Sequence, residues 1–365
     1  MKRVLCLISG MNSGGAETFL MKLYRKIDKN SYQMDFCVNI KEEGFYDKEI
    51  LEMGGKIYHI PSKSENVRKF KKSLTEIIKN EKYEYVLRIT SNTMGFMDLK
   101  IAKKAGAKVC AARSSNSNDP QELKMKIAHI LGRILYGKYV DVKIAPSELA
   151  GIYTFGENEY NKHNVHILKN AVDLEQYKYS DQNRKNIRSE LGISDDDIVC
   201  GHIGRFSKQK NHKHLIEIFN SLLKKSPNAK LILVGEGELQ QDVIKQCKQL
   251  GIQENVYFLG VRSDIPAILS AMDVFVFPSL YEGMPNTVIE AQATGLSCVI
   301  SDTITKQSNV LGSVKYISLN SSNDIWVQEI LNKSKKRYFS KEVFIQKGYE
   351  INSSVEDFLS IMKMK

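Results

Sequence analysis

The chain has no pair of cysteines at CxxC spacing and no histidines at HxxxH or HExxH spacing. Its six cysteines, at 6, 37, 110, 200, 247 and 298, fall mostly inside apolar, strand-like runs. That pattern reads as buried thiols in a reducing cytosol, and it excludes a disulfide frame or a zinc site. His212 and His214, flanking Lys213, read as exposed helix residues. No apolar run approaches the ~20 residues of a membrane span. The opening apolar stretch, Val4 to Ile8, ends directly in Gly-rich polar sequence, so a first buried strand is expected and a signal peptide is not. Low-complexity tracts and short solenoid repeats are missing. So are basic motifs interleaved with aromatics, which argues against nucleic-acid binding.

What is present is an ordinary globular composition, 42% hydrophobic and 26% charged, over 365 residues, enough for two cores. Charge is uneven. Residues 1–172 hold 29 Lys and Arg against 19 Asp and Glu, while residues 173–365 hold 24 against 23. Two basic stretches in the first half, Val67–Leu74 and Leu123–Tyr136, have helical spacing with one apolar and one cationic face. The plain reading of each is a stripe turned to the core with a solvated lysine face. The other reading is a surface for an anionic membrane.

Strand-like runs recur at Val4–Ile8, Met34–Val38, Lys56–Ile60, Tyr85–Ile89, Lys108–Ala112 and Asp141–Ala145, separated by amphipathic stretches. A second series begins at Ile198–Ile203 and continues through Lys230–Val234, Val256–Leu259, Asp273–Phe277 and Ser297–Ile300. Such alternation predicts two doubly wound parallel sheets with right-handed crossovers. The expected domains are 1–172 and 173–340, with a hinge around Asn170–Gln176. A helical tail over 341–365 is expected to pack back on the first domain.

The chemistry concentrates on loops after strands. Ser279 to Gly295 places Glu282 on a loop and Glu290 more than a turn into a helix, with Pro285 suited to the helix start and Gly295 to its end. Open α/β sheets bind ligands at that edge, and helix N-termini bind phosphates there. Gly204-Arg205-Phe-Ser-Lys-Gln-Lys210-Asn211 follows another strand and supplies two cations for a pyrophosphate. Gly235-Glu-Gly237 and Arg262-Ser-Asp264 read equally as structural turns or ligand contacts. Gly14 and Gly15 open the first helix, without the GxGxxG of a dinucleotide fold or the GK[ST] of a P-loop. Asp195-Asp-Asp197 reads as a solvated connector, and no metal site is expected.

Taken together, GGAET, GRFSKQKNH, LVGEGEL, FLGVRSDI and PSLYEGMPNTVIEAQATGLSCVIS resemble the retaining glycosyltransferases of family 4, over nearly the whole chain. The resemblance implies the GT-B fold, two Rossmann-like doubly wound parallel-sheet domains facing across a cleft. It implies a metal-independent hexosyltransferase with no cofactor. A nucleotide sugar, UDP-linked by the family's habits, would be co-substrate. The acceptor would be lipid-linked or an oligosaccharide, in capsule or exopolysaccharide synthesis at the inner membrane face. Arg205 and Lys210 would hold the diphosphate, Glu282 the donor sugar and Glu290 the ribose. Gly283, Met284, Pro285, Asn286 and Thr287 would add backbone contacts, and Gly14 and Gly15 would close over the phosphates. Many relatives carry a histidine after the Lys108–Ala112 strand. Here Arg113 and Asn116 stand in that segment as candidates for orienting sugar or acceptor. A sugar-nucleotide epimerase of the same fold, or a non-catalytic partner subunit, is the alternative.

Overall fold

Val4, Leu5, Cys6 and Leu7 are all buried, as a strand must be when helices cover both faces of a parallel sheet. They belong to β1 (Lys2–Leu7), followed by β2 (Tyr32–Val38), β3 (Ile57–His59), β4 (Tyr85–Thr90), β5 (Val109–Ser114), β6 (Val142–Ala145) and β7 (Val165–Ile167). These pair in parallel in the order β3-β2-β1-β4-β5-β6-β7. A second parallel sheet contains β8 (Val199–Ile203), β9 (Lys230–Val234), β10 (Val256–Phe258), β11 (Val274–Phe277), β12 (Ser297–Ser301) and β13 (Val314–Ile317). Its order is β10-β9-β8-β11-β12-β13. The computed structural model describes residues 1–115, 123–334 and 336–365.

The chain divides into two units, one of Met1–Ala171 with Gly348–Lys365 and one of Val172–Lys347. Each sheet reverses its winding once, between β1 and β4 and between β8 and β11. At such a reversal the following loops splay apart and leave a crevice at the carboxyl ends of the strands.

Three elements differ from expectation. β7 and β13 lie outside the expected strands. Both lie at sheet edges, and only Val165 of β7 and Val314 and Ile317 of β13 are buried, so neither presents a continuous apolar run. The helix Leu123–Tyr136 has its expected span, but its apolar stripe does not face the core. Leu123 is 71% exposed and Ile134 68%, and Ile127, Ile130, Leu131 and Leu135 are exposed as well. Only His129 and Gly132 are buried, with Gly132 against the backbone of Thr93 and Met94. In the other basic helix, Lys63–Asn80, Phe70, Leu74 and Ile78 do face inward.

The final helix, Ile351–Ile361, starts at Glu350, whose carboxylate accepts from the backbone N–H groups of Asn352 and Ser353 at 3.0 and 2.9 Å. Val355, Phe358, Leu359 and Met362 join the core beneath the helix Gly15–Lys26, and Lys2 Nζ donates to the Met364 carbonyl at 2.7 Å.

Candidate functional site

β11 delivers Pro278–Gly283 to the crevice of the second sheet, and this loop is pinned on both sides. Leu280 N–H donates to the Gln209 carbonyl at 2.8 Å, Gln209 Nε2 to the Tyr281 carbonyl at 2.9 Å and Asn211 Nδ2 to the Pro278 carbonyl at 3.1 Å. Asn211 adopts the left-handed backbone, φ 55°, which asparagine tolerates better than most residues. From the other side, the Ser301 and Thr303 hydroxyls donate to the Ser279 carbonyl at 2.5 and 3.1 Å.

The helix that follows, Asn286–Ala293, starts after Pro285, and no side chain caps its N-terminus. The Val288 N–H turns back to the Pro285 carbonyl at 3.2 Å, and a helix start of this kind, with no capping side chain, favours an anion in front of it. Gly295, at φ 78°, ends it: its N–H bonds the Gln292 carbonyl and that of Leu296 the Ala291 carbonyl. This is the paired C-terminal closure that glycine permits. Glu290 is buried on the second turn.

The other wall is the loop after β8. Gly235, at φ 129°, and Gly237 lie so close that a Cβ on either would overlap the carbonyls of Gly204 and Phe206. Gly204 N–H donates to the Val234 carbonyl and Phe206 N–H to that of Glu236. The two glycines let one loop brace the other, and the braced loop leaves Arg205 exposed and, among the described residues, without an ion pair. Lys210 does have one: its Nζ lies 2.6 Å from Glu282 Oε1, with the two side chains 17% and 9% exposed.

Beneath Lys210 lies a floor of rings. Its ammonium sits 4.6 Å from the centroid of Phe277. His202 stacks on Phe277, with centroids 5.0 Å apart, and donates from Nδ1 to the Val276 carbonyl at 3.0 Å. His212 stacks on Phe206 at 4.1 Å and meets His202 edge-on. Burial, with Lys210 nearby, pushes His212 down to about 4. Burial and the neighbouring His212 hold His202 well below its ordinary value. Both rings are neutral at physiological pH.

Contrary to expectation, then, His212 is buried, and His214 bonds Asn323 and meets Trp326 edge-on. Neither reading is available from helical periodicity, because the covering rings come from β8, the loop after it and a distant helix. Arg262 is taken up by Asp264 at 2.7 Å and Glu190 at 2.9 Å.

Thus Arg205, Lys210, Glu282, Gly283, Met284, Pro285, Asn286, Thr287 and Glu290 are gathered at one edge of the second sheet. The remaining candidates lie in the first unit. Gly14 precedes the helix Gly15–Lys26, and a Cβ on it would overlap the Glu17 carboxylate, whose pKa burial raises. Arg113 is only 2% exposed; its guanidinium lies 3.5 Å over the Phe19 ring and donates to Asn170 Oδ1 at 2.5 Å. Among the described residues no carboxylate pairs with it, and burial lowers it to about 9. Asn116 lies outside the described residues.

The profile of the family described as "Glycosyl transferases group 1" matches residues 183–331. EpsF of Bacillus subtilis (strain 168), a glycosyltransferase by name, is 34% identical over 99% of this chain and 96% of its own. The Escherichia coli UDP-Gal:alpha-D-GlcNAc-diphosphoundecaprenol alpha-1,3-galactosyltransferase is 28% identical over 74% of this chain and 72% of its own. Among solved structures, Anabaena HepE in complex with UDP and glucose superposes with a TM-score of 0.80 over both whole chains at 17% identity. WaaG, a glycosyltransferase involved in lipopolysaccharide biosynthesis, does so at 0.68 and 14% identity, over 99% of this chain and 98% of its own.

Proposed function

This chain belongs to the glycosyl transferases group 1 family and has its GT-B fold, and we propose that it transfers a hexose from a UDP-sugar, with retention, to a lipid-linked acceptor hydroxyl in surface-polysaccharide synthesis. The observation that carries this reading is the apposition of Arg205, the Lys210–Glu282 pair and the uncapped helix Asn286–Ala293 at the β8/β11 crevice.

Breaking a glycosyl–phosphate bond builds negative charge on the departing diphosphate and positive charge on the sugar. Arg205, Lys210 and the N–H groups of Gly283, Met284, Asn286 and Thr287 answer the first charge, so no metal is required. Glu282 answers the sugar, and Glu290 accepts from the ribose hydroxyls. By the family resemblance, Gly14 and Gly15 serve phosphate binding, and Arg113 and Asn116 serve the sugar or acceptor. The UDP and lipid-linked assignments draw support from the donor and acceptor named for the Escherichia coli relative and from the UDP in HepE crystals.

No helix among the described residues is long and apolar enough to cross a membrane. A lipid-linked acceptor is reached instead by peripheral contact at the cytoplasmic membrane face. The helix Leu123–Tyr136 offers an exposed apolar face with Lys124, Lys126 and Arg133 and no acidic residue.

The test is transfer by purified, folded Lys210→Ala and Glu290→Ala variants. Each is expected to lose on the order of 100-fold in rate. Near wild-type transfer by both would remove the site assignment. The wild-type reaction should yield a product of the donor's anomeric configuration and continue in EDTA. Among a panel of sugar nucleotides, UDP-linked ones should give the largest thermal stabilisation.

A further inference from the structure

Lys210 is held from Cδ to Nζ. A Cβ on Gly204 would lie 3.2 Å from both Lys210 Cδ and Cε, so the missing side chain at 204 is the slot in which the lysine stem lies. The same point is 3.1 Å from His202 Nε2. Because Nδ1 of that ring donates to Val276, Nε2 carries an unshared pair, buried and without a hydrogen-bond partner. The floor under the ammonium is thus neutral: Phe277, His202, His212 and Phe206 bring no formal charge. Among the described residues, the only carboxylate paired with Lys210 is Glu282. A fixed stem, an uncharged floor and one counter-ion on a loop make a cation whose partner can be exchanged while the lysine stays in place.

We propose that Glu282 occupies, in the free protein, the place on Lys210 that the donor's diphosphate takes, and that it reclaims Lys210 when the diphosphate leaves. This rests on the reading of Lys210 as a diphosphate ligand. Donor binding then splits the ion pair. The phosphate oxygens take the ammonium, and the freed carboxylate turns to the sugar hydroxyls. After transfer, re-forming of the pair weakens the grip on the nucleoside diphosphate and favours its release. His202 acts through Lys210 as a positioning residue, since a charged ring there would repel the ammonium from its slot.

Inorganic pyrophosphate is the probe, because it carries no sugar or base. Calorimetric titration should show Glu282→Gln binding it about tenfold more tightly than wild type. Lys210→Ala should bind it more weakly, and the double variant should match Lys210→Ala. Unchanged or weaker binding by Glu282→Gln would overturn the proposal. So would a gain that persists without Lys210, which would report only the loss of a negative charge. If Glu282→Gln does not fold, Glu282→Asp, one methylene shorter, is expected to give a smaller gain by the same route, and no gain there overturns the idea. These results hold whether or not glycosyl transfer is detected, so they fail independently of the assigned reaction.

Discussion

Lys210 and Glu282 stand 72 positions apart, so no window of sequence contains both ends of the ion pair. Each was legible separately, from a strand, a glycine and a charge in sequence. Their contact was not, because it depends on β8 and β11 being neighbours across the reversal of the sheet. The histidines show the same limit more sharply. His212 sits beside lysines and looks solvated, yet it is enclosed by Phe206 and His202. Its burial makes a prediction about pH. Above pH 6.5 both the folded and the unfolded chain hold this imidazole neutral. As pH falls from 6.5 to about 4, the unfolded chain gains a proton that the folded site refuses, so stability is lost across that window. The loss attributable to His212 is on the order of 3 kcal/mol. The single tryptophan, Trp326, is buried in the second unit and reports its unfolding alone. Urea midpoints followed by that fluorescence should fall steeply between pH 6.5 and 4 in wild type and less steeply in His212→Phe, which keeps the stack on Phe206. Equal slopes would mean that His212 is not the group responsible.

Among elements, central strands were easy to read because burial on both faces leaves continuous apolar runs such as Val274–Phe277. The edge strands β7 and β13 carry no such mark. Helix Leu123–Tyr136 teaches a different lesson. Its periodicity revealed an apolar face, and nothing in a period says what covers that face. In the structure, Gly132 brings the helix down on Thr93 and Met94, and this turns the leucines and isoleucines outward. Replacing Ile127, Ile130 and Ile134 with serine should leave thermal unfolding nearly unchanged, since the three are already exposed. Co-sedimentation with phosphatidylglycerol vesicles should fall at least about tenfold. Binding equal to wild type would separate this helix from membrane contact.

For the whole molecule, the repeated order of strands and helices conveyed two parallel sheets, and the candidate residues of the second sit on the loops after β8 and β11. The structure draws the units at Ala171/Val172 and Lys347/Gly348. The last eighteen residues thereby belong with the first 171, a grouping carried by side chains such as Phe358 and Met362 in the first core. A protein ending at residue 347 should lose several kcal/mol from its first unit, a large share of the ~5–15 kcal/mol that holds a domain together. Its Trp326 transition should stay close to wild type, whereas far-UV circular dichroism should show an earlier second step. A single unshifted transition would refute this. The same arrangement sets a timetable for synthesis. At about 5–20 residues per second, the ribosome needs roughly 10–35 s to pass from residue 172 to residue 347. Throughout that interval the nascent first unit lacks its closing helix and leaves part of its core open to chaperones and to neighbouring chains. The half of the protein made first is therefore the half completed last.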